Sequence, residues 1–309
     1  MKKVLVTGGA GFIGSHSVDL LLENNIPVRV LDNFSSGHRD NLDESNPLLE
    51  IVTGDIVDTQ TVRQQMAGVS HCLHLAAQVS VVASLEDPVH SATQNIVGFV
   101  NVLSECQRQQ VSRLVYASSA AVYGNPSQIP LVEDAEREQL SPYGLEKQVD
   151  EEYADLFNRL YGLSTLGQRF FNVFGPRQDP KSPYAGVIAL FVDAIRDGRD
   201  ISIFGDGLQT RDFIYVRDVA RANFAALQGD LNGACNVGTG IQSTLLDLIE
   251  VLARIAGKTP TVHHEPEREG DIRDSLANVE RLQRLLGVSA ETDLETGLRA
   301  LIDYSKGKL

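Results

Sequence analysis

The chain has 309 residues, and its 41 acidic side chains against 27 basic ones give a formal charge of −14. That charge argues against nucleic acid and anionic membrane as partners. With 42% hydrophobic and 22% charged residues, the chain has the composition of a globular protein long enough to bury a full core.

Residues 1–3 lead straight into the apolar run Val4-Leu5-Val6 and then glycines, without a cleavable leader pattern. No apolar run approaches the roughly 18 residues of a membrane span. Short β-branched runs at 4–7, 28–31, 49–52, 72–75 and 114–117 predict strands. Helical patterns at 13–23, 89–108 and 142–160 fall between or after them. This alternation predicts an α/β fold with a parallel sheet covered on both faces. After residue 172 the rhythm is broken by Pro176, Pro180 and Pro183, with further elements at 186–196, 201–204 and 244–255. We read residues 1–172 as one unit and 173–309 as a smaller lobe partly interleaved with the sheet. Cys72, Cys106 and Cys235 lack CxxC spacing and are expected as buried thiols of a reducing compartment, the cytoplasm.

Residues 7–14, T-G-G-A-G-F-I-G, place Gly8, Gly11 and Gly14 directly after the first strand and at the start of a helix. Glycine lets the backbone turn sharply and approach a pyrophosphate, and the helix N-terminus offers it free N–H groups. Asp32 ends the second strand 18 residues beyond Gly14. A carboxylate there accepts hydrogen bonds from an adenosine ribose and repels a 2′-phosphate, so NAD is favoured over NADP. A turn cap is the structural alternative for Asp32. Asp55 and Ile56, after the third strand, are expected to cover the adenine.

The glycine spacing, G-D-I at 54–56, H-L-A-A-Q at 74–78, Y-A-S-S-A-A-V-Y-G at 116–124 and Y-x-x-x-K at 143–147 resemble the extended short-chain dehydrogenase/reductases. F-F-N-V-F-G-P-R at 170–177, R-D-F-I-Y-V at 211–216 and R-E-G-D-I-R at 268–273 narrow the resemblance to UDP-hexose 4-epimerases, especially the branch acting on N-acetylated sugars. It spans nearly the whole chain. It implies a Rossmann-like doubly wound parallel sheet, tightly bound NAD and a UDP-sugar substrate. It also implies a homodimer through the two long helices near 89–109 and 142–162. Phe12, Ile13, Asn33, Ser35, Ser36, Gly37, Leu75, Ala76, Ala77, Gln78 and Phe171 match the family's cofactor contacts. Some galactose epimerases carry a lysine after the fourth strand, where this chain has Leu75-Ala76-Ala77-Gln78.

Tyr143 and Lys147 are one helical turn apart, and Ser141-Pro142 suits a helix start. Tyrosine ordinarily has a pKa of about 10, and lowering it by roughly 3 units takes about 4 kcal/mol. The Lys147 ammonium and an oxidised nicotinamide together are expected to supply that. The resemblance implies that Tyr143 takes the sugar 4-hydroxyl proton during oxidation to a 4-keto sugar. Lys147 then holds the nicotinamide ribose, and Ser119 bonds the same hydroxyl. Ala120 and Ala121 follow Ser119 where related dehydratases carry an acid, so water elimination lacks its proton donor.

For the substrate, Arg211 and Arg268 match diphosphate contacts. Asn172, expected at the end of its strand, matches a sugar or phosphate contact. Val187, Ile188, Ser202 and Phe204 match the uridine site, and Asp271 a ribose contact. Ser275 stands where strict galactose/glucose epimerases carry tyrosine, leaving room at C2 for an N-acetyl group. UDP-GlcNAc/UDP-GalNAc are therefore expected as substrates, alongside UDP-Glc/UDP-Gal. A UDP-glucuronate or UDP-pentose epimerase, a net dehydrogenase and a non-catalytic NAD-binding regulator are the alternatives. The His263-His264-Glu265 run is expected on a strand or loop surface and not at a metal, since adjacent strand residues face opposite ways.

Overall fold

The computed structural model describes residues 1–126, 128–179, 186–267 and 272–307. Its centre is a seven-stranded, all-parallel sheet. The strands are β1 (Val4–Thr7), β2 (Val28–Asp32), β3 (Leu49–Thr53), β4 (His71–His74), β5 (Arg113–Ser119) and β6 (Thr165–Phe170). The seventh, Gly233–Val237, comes from the second half of the chain and pairs with β6 along the outer edge. From that edge the order is Gly233–Val237, β6, β5, β4, β1, β2, β3. The direction of winding reverses between β1 and β4, and in such sheets a ligand crevice opens beyond the carboxyl ends of those strands.

β1 and most of β5 are fully buried, which explains their near-continuous apolar runs. On one face the Phe12–Glu23 and Val216–Gln228 helices pack over Val4, Val6, Val28, Val30, Val115 and Leu166. On the other, Thr59–Met66, Gly98–Arg108 and Pro142–Tyr161 enclose Leu5, Leu31, Cys72, Leu114 and Tyr116. The helix predicted at 89–108 consists of an α-helical turn at Pro88–Ala92, a π-helical turn at Thr93–Val97 and an α-helix at Gly98–Arg108. All three cysteines are buried and free.

A second core gathers the helices Val187–Asp197, Leu245–Ala256 and Leu294–Gly307 around Ile201, Ile203 and Phe213. Ile201–Phe204 pairs in parallel with Val262–Glu265. His263 and His264 turn to different partners there, Asp200 and the Gly205 carbonyl. Among the described residues, no helix is long and apolar enough to cross a membrane.

Candidate active site

The glycine loop closes on itself so tightly that side chains are excluded. A Cβ on Gly14 would lie 2.0 Å from the Gly8 carbonyl oxygen, and one on Gly8, at φ +68°, 2.6 Å from the Ala76 nitrogen. The Phe12–Glu23 helix begins at Gly11, whose lack of a side chain leaves the first-turn N–H groups without a side-chain cap. Asp32 is buried; its Oδ2 accepts the Ala10 N–H at 2.9 Å and its Oδ1 the Phe34 N–H at 2.8 Å. It therefore pins the glycine loop to the end of β2, and each oxygen keeps a lone pair for a further donor. Gly37 packs against Ala10, and Asn33 donates to Asp55 at 2.9 Å. Ser35 and Ser36 are exposed, while Ile56 is buried against Gly98. A glycine cradle, a bare helix start and a carboxylate at the end of β2 fit a dinucleotide such as NAD.

Across the crevice, Ser119 ends β5 and caps the short 3₁₀ turn Ala120–Tyr123, its Oγ accepting the Ala121 N–H at 3.1 Å. The Pro142–Tyr161 helix starts as its sequence suggests: Ser141 caps it by accepting the Gly144 N–H at 3.1 Å, with Pro142 in the first turn. Gly144 is needed here for closeness. A Cβ at that position would sit 2.7 Å from the Ala121 carbonyl, so glycine lets the Tyr143 turn lie against the Ser119 turn. Ser119 and Tyr143 line one cavity of about 210 Å³, together with Phe171, Asn172, Arg211 and Ser275.

Lys147 does not line that cavity. It lies behind it, 2% exposed, with Nζ 3.2 Å from Asp150 Oδ2. Burial opposes its charge, but Asp150, Tyr143 and Glu146 together outweigh burial and hold its pKa above the ordinary lysine value. On β4, His74 is pushed down to about 3, by burial first and then by Lys147. It is a neutral imidazole bonded to Thr7 Oγ1 at 2.7 Å.

The cavity's other wall comes from three distant segments. Asn172 opens a short strand, Asn172–Phe174, instead of ending one, because the chain turns from β6 to pair with Phe213–Tyr215. Arg211 donates to the Thr210 carbonyl at 2.8 Å, and Ser275 is held by its N–H on the same oxygen at 3.2 Å. Val187, Ile188, Ser202 and Phe204 are not among the residues lining this cavity. Ile188 is 2% exposed inside the second core, and Ser202 is exposed. Arg268 and Asp271 lie outside the described residues.

Sequence reasoning missed several groups that hold these walls. Asp212, beside Arg211, is fully buried and accepts from Thr239 N and Oγ1, Gly240 N and Ala277 N at 2.7–3.2 Å. Burial nonetheless pushes its pKa up. Asn95, in the π-helical turn, grips Gln78 through both its N–H and C=O and donates to Glu146 at 2.6 Å. Ser84 Oγ accepts the Tyr143 N–H at 3.2 Å. The only signals available were an acid next to Arg211 and a polar run ahead of a helical glycine.

The sequence profile of the NAD dependent epimerase/dehydratase family matches residues 4–238. The chain is similar to the UDP-N-acetylglucosamine 4-epimerase of Methanobrevibacter ruminantium M1, solved in complex with UDP-N-acetylmuramic acid. The TM-score is 0.96 at 37% identity, covering 100% of this chain and 99% of that one. It is also similar to the UDP-glucose 4-epimerase of Thermotoga maritima with UDP-glucose, at TM-score 0.95, 37% identity and 99% of each chain. The UDP-glucose 4-epimerase of Thermus thermophilus, in complex with NAD, matches at TM-score 0.92 and 36% identity over 99% of this chain and 100% of that one.

Proposed function

We propose that this chain, which belongs to the NAD-dependent epimerase/dehydratase family and is an NAD-dependent nucleotide-sugar 4-epimerase, interconverts UDP-GlcNAc and UDP-GalNAc, with UDP-Glc and UDP-Gal as further substrates. The observation that carries the choice of sugar is Ser275. This small, largely buried side chain lines the same cavity as Ser119 and Tyr143. Where a tyrosine would fill the space beside the sugar C2, serine leaves room for an acetamido group. The similarity to a UDP-N-acetylglucosamine 4-epimerase solved in complex with UDP-N-acetylmuramic acid supports the same reading.

When bound, NAD supplies the acceptor and then the donor of the sugar C4 hydride. Tyr143 accepts the 4-hydroxyl proton and returns it to the opposite epimer. Because Ser119 Oγ already accepts the Ala121 N–H, its own hydrogen is free to bond the sugar 4-oxygen. Lys147, buried one helical turn away, sets a positive charge beside the tyrosine. Arg211 holds the diphosphate, and Asn172 orients the sugar between it and Tyr143. Alanines at 120 and 121 provide no acid for a leaving hydroxyl, which favours epimerisation over elimination.

The working form is a homodimer in the cytoplasm. Val82, Leu85, Val89 and Val97 are 47–76% exposed, and Leu145, Tyr153, Leu156 and Leu160 on the neighbouring Pro142–Tyr161 helix are 36–62% exposed. A second copy would cover this apolar face. The test incubates purified protein with a panel of UDP-sugars and no added NAD. Interconversion of UDP-GlcNAc and UDP-GalNAc is expected. Conversion confined to plain hexoses, uronates or pentoses would overturn the choice of sugar.

A further inference from the structure

One turn past Lys147 the helix carries a second buried charge for which the epimerase reading has no use. Asp150 Oδ2 lies 3.2 Å from Lys147 Nζ, and the two side chains are 1% and 3% exposed. Its other oxygen, Oδ1, is buried without a hydrogen-bond partner, as is Glu146 Oε1. An unpartnered buried carboxylate oxygen is destabilising. A buried ion pair can often be replaced by apolar side chains without loss of stability. Packing alone therefore does not account for this one.

The surrounding groups define its job. Glu151, on the same helix, is already matched by Arg169 and Arg137 and bonded by Ser118. Glu146 takes hydrogen bonds from the neutral groups of Ser91 and Asn95. From β4, His74 faces Lys147 as a neutral ring, and from β5 the buried Tyr116 has its pKa pushed well up and stays a neutral phenol. Asp150 itself is raised to about 7, by burial first, with Lys147 opposing. Its carboxylate is the one in direct contact with the ammonium.

We propose that Asp150 is a positioning residue for the Tyr143–Lys147 pair, whose carboxylate fixes the Lys147 ammonium in place and keeps it charged in a site closed to water. The proposal rests on the reading that Tyr143 and Lys147 serve the sugar 4-hydroxyl. Without Asp150, only Tyr143 and Glu146 oppose the burial of the lysine, its charge is lost at a lower pH, and Tyr143 loses its activating neighbour.

The experiment records kcat and KM from about pH 6 to 11.5 for the wild type, Asp150→Asn, Asp150→Glu and Tyr143→Phe, on a UDP-sugar the wild type converts. Bound NAD is quantified after release from each protein. In Asp150→Asn the alkaline limb of kcat is expected to move down by about one pH unit or more. KM and bound NAD should hold, and Asp150→Glu should restore part of the limb. A limb in folded Asp150→Asn that coincides with the wild type overturns the proposal. If Asp150→Asn does not fold, the wild type and Asp150→Glu decide. A wild-type limb below about pH 9, more than a unit under the ordinary lysine value, overturns it while the protein is still folded. A limb at or above about pH 9, retained in Asp150→Glu, supports it. Tyr143→Phe separates the two ideas: an active Tyr143→Phe sinks the assignment of Tyr143 and Lys147 to the sugar 4-hydroxyl, whereas an inactive one beside an unshifted Asp150→Asn sinks only the role of Asp150.

Discussion

The two walls of the cavity are built by different means. On the Ser119–Tyr143 side, each position follows from a few neighbouring residues: a strand end, a Ser-Pro cap, a glycine that admits close contact and an i, i+4 pair. On the Asn172–Arg211–Ser275 side, three segments far apart in the chain are tied through Asp212 and the Thr210 carbonyl. A fault in the first wall should remove the reaction, and a fault in the second should change which sugar reacts or how tightly it is held.

The largest effect is expected from Tyr143→Phe, which should lower kcat by about 10³-fold, within the range for loss of a general acid–base group. Its bound NAD should stay at wild-type stoichiometry, measured by absorbance after denaturation. Next, Ser275→Tyr should lower kcat/KM for N-acetylated sugars by about 100-fold, roughly 2.7 kcal/mol. Plain hexoses should be turned over almost as before, and equal losses on both would show that the second wall does not select at C2. Asp212→Asn removes an acceptor facing the Gly240 and Ala277 N–H groups, so it should raise the sugar-nucleotide KM and lower stability by about 1–3 kcal/mol. Kinetics and thermal melts would read both, and an unchanged KM would break the link between Asp212 and the sugar wall.

The smallest effect on turnover comes from His16, which joins the two halves by a 2.9 Å contact from its Nε2 to the Pro176 carbonyl. Its pKa is lowered to about 4, chiefly by burial. A histidine depressed in the folded state contributes stability that is present above about pH 6.5 and lost as pH falls toward the folded value. His74 acts with the same sign, toward its value of about 3. At pH 5 the His16 share is roughly 2 kcal/mol. His16→Gln should therefore flatten the fall in melting temperature between pH 7 and 5, and an equally steep fall would argue against this assignment.

This contrast also explains what could be read in advance. Gly8, Gly11 and Gly14 share one turn and the Ser141 cap another, while Asp32 meets the loop from the end of the next strand, so short recognisable spacings signal where they lie. The edge strand Gly233–Val237 gives no such signal, because Asn236 interrupts its apolar run. The Asn236 side-chain amide is satisfied by tertiary partners, the Tyr123 hydroxyl and the Leu131 and Asn278 carbonyls. Asp212 and Asp150 were equally silent: an acid reads as a surface charge until folding wraps donors or an ammonium around it. The π-helical turn that aims Asn95 at Gln78 and Glu146 falls inside a pattern that predicts only a long helix.

The return of the chain to pair Gly233–Val237 with β6 bears on modularity. A chain cut after residue 172 would keep the whole glycine loop and the Tyr143–Lys147 helix. It would lose the edge strand beside β6 and the Val216–Gln228 helix over Val4 and Val30. What remained would present the open backbone of a wholly buried strand, a template for pairing with other copies. The half that carries the glycine loop is thus not a cassette that could be lifted out and grafted elsewhere, because its last strand is supplied by the other half of the chain.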